Sequence, residues 1–363
     1  MIINANNIVP EFSAANMSAI INGYSLGDLR YREFFPLQYN TDLTFSNLEA
    51  TTSAKVMADI VSIGSKAPRK GRDFIAAIKG EMPKIEIARD LDEHDLIKIQ
   101  QLRNAVQLQP NNQAIKNQMI DKIYGDSTFV LDGVNARLEF VAKQLVSTGK
   151  FKTTVANNSG GVAGVEVDFK VTIVNAAKDW FSDATADPVK DIQTAQDAAL
   201  AKGYRFSTIT VDQSTANQLG TIKAVQEFVY GVANNGGTTQ FFKPTLEQIN
   251  TRLSLYGLPT IRIWETMVNQ ESKAGALSAV NGWEPGNVLL SVSPQLGNTQ
   301  YTTTPEFSMN FGTTTAQTVA EGFVLVKTFG VQDPVLVSTK ATAFSLPVLN
   351  DTKKNVILKT KLA

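Results

Sequence analysis

Residues 112–149, NQAIKNQMIDKIYGDSTFVLDGVNARLEFVAKQLVSTG, are the longest periodic stretch of the chain. Ile115, Met119 and Ile123 recur every four residues, and Leu131, Val134, Leu138, Val141 and Leu145 then alternate steps of three and four. That spacing lays one apolar stripe along a helix. Asn111 or Asn112 supplies the N-cap side chain, and Gly149 is the residue that stops the helix. If the helix runs unbroken through Gly125 and Gly133, it spans roughly 35 residues, or about 50 Å at the helical rise. Ordinary globular helices are about a third as long. The stretch reads as a structural spine, with its Leu131–Leu145 stripe expected to pack on the hairpin that follows Phe151.

Upstream, Asp90, Asp92, Glu93 and Asp95 cluster where a helix N-terminus favours negative charge, and the pattern runs through Ile97, Ile99 and Leu102 until Pro110. Residues 37–89 read as strands around a charged tip, Lys66-Ala67-Pro68-Arg69-Lys70-Gly71-Arg72, four cations in seven residues. The alternating Ile85-Glu86-Ile87-Ala88-Arg89 is the expected return strand. The first 35 residues are rich in Asn, Ser and Gly without a clear period and read as an extended arm. Tyr24, Leu26, Leu29, Tyr31, Phe34 and Phe35 argue against a merely frayed terminus, because disordered tails seldom carry such groups.

Downstream, Phe151, Thr153 and Val155 alternate, Asn157 to Gly161 turn, and Val165, Val167, Phe169, Val171 and Ile173 alternate again. From about residue 187 the pattern becomes α/β. Asp187-Pro188 opens a helix, strands are expected at 206–211, 260–264 and 288–292, and helices over 215–230 and 245–256. Such a segment holds strands of its own, so an isolated 187–292 fragment has a chance of folding. The end returns to strands at 322–330, 334–349 and 355–360.

Composition excludes more chemistry than it offers. The chain of 363 residues balances 34 basic against 34 acidic residues, so bulk charge recruits neither nucleic acid nor an anionic membrane. With no cysteine and one histidine, disulfides, thiol nucleophiles, iron–sulfur clusters and two-histidine metal sites are ruled out. That histidine, His94, sits among acids in a helical first turn without a nucleophile motif and reads as solvated. Gly160-Gly161-Val162-Ala163-Gly164 lies between strands and reads as a hairpin turn, not a dinucleotide loop. No signal peptide or membrane-length apolar run is evident, so an intracellular site of synthesis is expected. No catalytic residue, cofactor or metal is expected. The cations Lys66, Arg69, Lys70 and Arg72 admit three readings: a phosphate grip, a solvated tip, or contacts with acids of a neighbouring subunit.

The order of parts carries a resemblance. An arm, a long two-stranded loop, a very long helix, a hairpin, an α/β domain and returning strands resemble the major capsid protein of tailed bacteriophages, the Hong Kong 97-type fold. Within it the chain is similar to the lambda-like major capsid protein E family. The matching stretches are Ala67-Pro68 with its basic residues, Met82-Pro83-Lys84-Ile85 through Arg89-Asp90, and Gly149-Lys150 with Glu166-Val167-Asp168-Phe169. Asp187-Pro188-Val189-Lys190-Asp191-Ile192 and Ser345-Leu346-Pro347-Val348-Leu349 complete them.

The resemblance implies an α+β fold divided into an arm (1–36), an extended β-hairpin loop (37–89) and a peripheral domain with spine helix and hairpin (90–186). An axial α/β domain (187–292) and strands returning to the peripheral domain (293–363) follow. It implies a shell subunit without enzyme activity or cofactor, forming hexamers and pentamers around double-stranded DNA. Its partners would be itself and portal, scaffolding or decoration proteins, with no membrane; it would sit in the virion after assembly in the host cytoplasm. The sequence leaves two alternatives, a cargo-compartment shell of the same fold and an intracellular α/β enzyme.

Overall fold

A computed structural model describes residues 2–50, 75–158, 160–161, 163–231, 242–272, 275–309 and 314–362. The spine helix is continuous over Gln113–Thr148, 36 residues or about 54 Å. Asn112 caps it by accepting the N–H groups of Ala114 and Ile115, and Gly149 ends it in the left-handed region at φ 72°. Its first third is largely exposed, whereas from Ile123 onward it is buried on most sides. At Gly133 the helix crosses Ile87 so closely that a Cβ would lie 2.5 Å from its Cδ1.

The stripe of the spine packs chiefly on the strand Val335–Leu349, not on the hairpin that the spacing pointed to. Ala341 and Ala343, both fully buried, keep that strand's surface low enough for the helix to lie on it. The hairpin, Lys150–Lys152 against Glu166–Asp168, has three residues per strand and covers only the C-terminal end of the helix through Phe151 and Phe169. A short hairpin cannot cover a long stripe, so the fifteen-residue strand does.

That strand is the centre of a seven-stranded sheet. On one side it pairs antiparallel with Val324–Gln332. On the other it pairs antiparallel with Lys84–Leu91, and its C-terminal end, from Phe344 onward, pairs antiparallel with Gly297–Thr302, which is joined in parallel by Leu37–Tyr39. The stretch from Ile85 to Arg89 is therefore a strand of the main sheet and does not return the loop. The return is Ile75–Glu81, which pairs with Thr44–Ala50. Met82 and Pro83 separate the two strands, and alternation alone cannot say which partner an apolar face will meet. Phe45 and Met82, each nearly fully buried, anchor the base of the loop in the main core.

The first 36 residues are packed rather than extended. They include a helix at Ala14–Asn22, a short helical turn at Tyr31–Phe34 and a strand at Ile2–Ile3 that pairs with Val331 and Gly330. Phe12, Met17, Tyr31, Phe34 and Phe35 are at most 1% exposed. Large apolar groups scattered without period still find burial when the body of the protein supplies the surface.

The α/β unit has its own core and a five-stranded sheet in the order Thr260–Ile263, Thr208–Val211, Asn287–Ser291, Val356–Lys359, Thr172–Asn175. Two of these five strands lie outside 187–292. The last strand thus crosses into the small sheet instead of rejoining the large one, and Ile173 leaves the hairpin for the same sheet. The expected single helix over 215–230 is two, Gln213–Leu219 and Lys223–Tyr230, separated by Gly220. In an isolated 187–292 fragment the wholly buried strand Asn287–Ser291 would lose its partner at Val356–Lys359 and become an apolar edge. The fragment alone is expected to aggregate. A monodisperse fragment with a cooperative thermal transition would contradict this.

Candidate functional site

The four cations singled out in the sequence, Lys66, Arg69, Lys70 and Arg72, lie outside the described residues. The strands that lead to and from that part of the chain pair with each other, in register from Thr44 opposite Glu81 to Ala50 opposite Ile75. His94 is exposed in the first turn of the helix Glu93–Leu108, behind the cap in which Asp92 accepts the N–H of Asp95 at 2.9 Å. Among the described residues no three metal-ligating side chains come together. No described helix is long and apolar enough to cross a membrane.

Two features remain with the form of a functional site. One is an open groove of about 2030 Å³ beside the spine helix, walled by the turn at Tyr24–Leu29, the strand Lys84–Leu91, residues Thr266 to Glu271, and Gly275, Leu277 and Val280. It is lined by the exposed carboxylates Asp28, Asp90 and Asp132, the last accepting the Tyr24 hydroxyl at 2.8 Å, and by exposed apolar groups at Phe129, Met267 and Leu277. Arg89 lies over the Phe129 ring at 4.5 Å and pairs with Asp126 at 3.5 Å. Arg137 donates to the Asn157 carbonyl at 2.7 Å, and burial pushes its guanidinium below the ordinary value. A mixed, open surface of this kind suits a protein partner better than a small molecule, which needs enclosure.

The other feature is a buried polar junction on one turn of the spine. Glu139 and Lys143, one helical turn apart, are 0% and 1% exposed. The Glu139 carboxylate accepts backbone N–H groups from Tyr31 at 2.7 Å and Arg30 at 3.0 Å, and the indole N–H of Trp264 on its other oxygen. It therefore caps the turn Tyr31–Phe34 while holding the α/β unit by Trp264. Lys143 donates to the Thr266 carbonyl and to Asn281 Oδ1 at 3.3 Å. Phe34 stacks on Trp264 at 4.1 Å and 16°, with Arg262 on its ring at 4.3 Å. One turn lower, Tyr31 donates to Asn135 at 2.7 Å, and Arg32 pairs with Glu321 through both guanidinium nitrogens. Gly282 closes the junction: a Cβ there would lie 2.2 Å from the Phe140 carbonyl oxygen. Three parts of the chain far apart in sequence are fastened at this turn.

Burial pushes the Lys143 ammonium down to about 8, partly offset by the negative charges of Glu139, Asp212 and Glu265, while Arg30 works in the same direction as burial. Burial also lifts the Glu139 carboxyl above its ordinary value, against the donors that favour its charged form. For the lysine, the unfolded chain holds more protons than the folded one between about pH 8 and the ordinary value of 10.5. Stability from this group therefore rises with pH from about 8 towards 10, and is flat below. Denaturant unfolding of the parent and of Lys143→Met across pH 7 to 10 should show that rise in the parent and its absence in the variant. Equal slopes in the two proteins would remove the assignment.

Glu139, Lys143 and Trp264 were not singled out from the sequence, and Tyr31 stood out there only as one of the large apolar groups near the start of the chain. The available signal was an acid and a base one turn apart around Phe140-Val141-Ala142, a spacing that a solvated pair on a helix surface shares.

The family described as phage major capsid protein E matches residues 27–360. Comparison with curated protein sequences returns no match. Among solved structures, a prophage protein of Escherichia coli CFT073, provisionally named a capsid protein, superposes with a TM-score of 0.56 at 15% identity. That similarity covers 96% of this chain and 99% of that one. A phage-related protein from Bordetella bronchiseptica RB50 gives 0.53 at 14% identity, over 95% of each chain. The capsid of cyanophage A-1(L) gives 0.50 at 10% identity, over 94% of each chain.

Proposed function

We propose how the parts of this chain divide the work, from the premise that it belongs to the phage major capsid protein E family, has the Hong Kong 97-type capsid fold and is a shell-forming structural protein. The subunit forms hexamers and pentamers that close an icosahedral head around double-stranded DNA, after assembly in the host cytoplasm, and it catalyses nothing. The α/β unit sits about the capsomer axis. Portal, scaffolding or decoration proteins complete the particle. The family match over 27–360 carries this reading, and it favours a phage shell over the cargo-compartment and enzyme alternatives. Electron microscopy of the expressed chain tests it, together with analysis of purified particles for nucleic acid. Absence of closed particles under every assembly condition would overturn it.

In the same reading, Lys66, Arg69, Lys70 and Arg72 cross to a neighbouring subunit, where exposed Asp28, Asp90 and Asp132 lining the groove offer opposite charge. Each exposed pair is worth only about 0 to 1 kcal/mol, but every subunit boundary of a closed shell repeats it. Such contacts are screened over roughly 8 to 10 Å at moderate salt. Neutralising all four cations is therefore expected to weaken assembly at low salt and to flatten its salt dependence. Assembly equal to the parent at every salt concentration would mean that the loop is merely solvated.

A further inference from the structure

The first two dozen residues precede the part of the chain that carries the family match, yet they bury side chains in two directions. Ala5, Val9 and Phe12 form a small separate core with Leu91, Ile99, Ile123, Tyr124 and Val337. Ile99 and Ile123 are the last fully buried residues at the base of a projecting helix pair, Glu93–Leu108 and the start of the spine. Beyond them, between residues 100 and 122, no side chain is fully buried, and Leu108 is 84% exposed. A helix pair with so little buried seam has little stability of its own. Glu11 grips this pair, accepting from Arg103 Nε at 2.7 Å and Nη2 at 2.6 Å. The Glu11 carbonyl accepts the Tyr124 hydroxyl at 2.5 Å, and the rings of Phe12 and Tyr124 meet edge-on at 5.6 Å.

The same segment completes a sheet edge. The outer side of strand Val324–Gln332 pairs with Thr314–Ala320 only as far as Phe329. Ile2 and Ile3 take up the next positions, Val331 and Gly330. The helix Ala14–Asn22 continues along the outside, burying Met17 and Ile21.

We propose that residues 2–23 are a strap with two tasks within one subunit. It pins the helix pair to the large sheet, and it seals a sheet edge that would otherwise pair with a second copy of the chain. Unpaired edges are the usual route to such association. The strap acts on the free subunit, before and independently of any shell.

Hydrogen exchange and size-exclusion chromatography on the soluble full chain and on a variant lacking residues 2–12 test both tasks. Amides of residues 97–120 are expected to exchange at least about tenfold faster without the strap, while those of 130–146 stay unchanged. The variant should also run as larger species that grow with concentration, and a peptide of residues 2–23 added in trans should reverse both effects. Should the deletion fail to fold, Phe12→Ala and Arg103→Glu decide the pinning task by the same exchange measurement, and Glu11→Arg combined with Arg103→Glu should restore protection. Unchanged exchange in folded variants overturns the pinning. A deletion variant that keeps the parent's size at every concentration overturns the sealing.

Discussion

Replacing Leu138 by aspartate is expected to abolish soluble particles. Leu138 is 0% exposed in the middle of the spine stripe, in the same core as Val134, Val141, Ala341 and Ala343. No described cation in that core is available to pair with a carboxylate. The variant must either bury an unpaired charge or withdraw the helix from the strand beneath it, at a cost of several kcal/mol. Whole domains are stable by only about 5 to 15 kcal/mol, so the loss is a large part of the total. Leu138→Ala provides the graded control, since deleting the side chain without adding charge costs about 2 to 5 kcal/mol. Sedimentation of expressed particles reads both. Normal yield from the aspartate variant would mean that the spine does not depend on this stripe.

The second large effect is at Glu139. Its two oxygens receive three N–H donors from two other parts of the chain, and the residues of two of those donors, Tyr31 and Trp264, are fully buried. Glutamine has nearly the same shape but only one acceptor oxygen, and its amide group would point hydrogens at hydrogens. Glu139→Gln should therefore destabilise the subunit by about 2 to 4 kcal/mol, more than an ordinary lost hydrogen bond, because buried donors are left unpaired. Trp264→Phe, which removes one of the three donors, should make the glutamine substitution less costly. A double-mutant cycle by denaturant unfolding measures that coupling. If Glu139→Gln alone shifts stability by less than about 0.5 kcal/mol, the junction does not hold the parts together.

Much of this protein was legible as local pattern. The spine, its asparagine cap and its glycine stop were readable because helix periodicity and capping are properties of consecutive residues. The helix after Asp187-Pro188 and the strands near 208, 260 and 288 were readable for the same reason, and the order of these parts pointed to the capsid family. What packs on what was not readable. Ile85, Ile87 and the residues between them alternate as any strand does, and only the pairing with Val337–Phe344 shows that they belong to the main sheet. The first 36 residues have no single period because their large side chains enter two separate cores, Phe12 in one and Met17, Tyr31, Phe34 and Phe35 in the other.

The functional junction was hidden for a related reason. Glu139 and Lys143 look like surface charges on a helix until Tyr31, Trp264 and Asn281 arrive from elsewhere in the chain to satisfy them. From the spine onward the sequence by itself determined the kind of most elements and the order in which they follow, since backbone propensity and side-chain period act within a few residues. Only the tertiary structure decided strand partners, the two strands lent to the α/β sheet and the burial of one acid and one base on the spine, because these depend on contacts between residues from tens to more than two hundred positions apart.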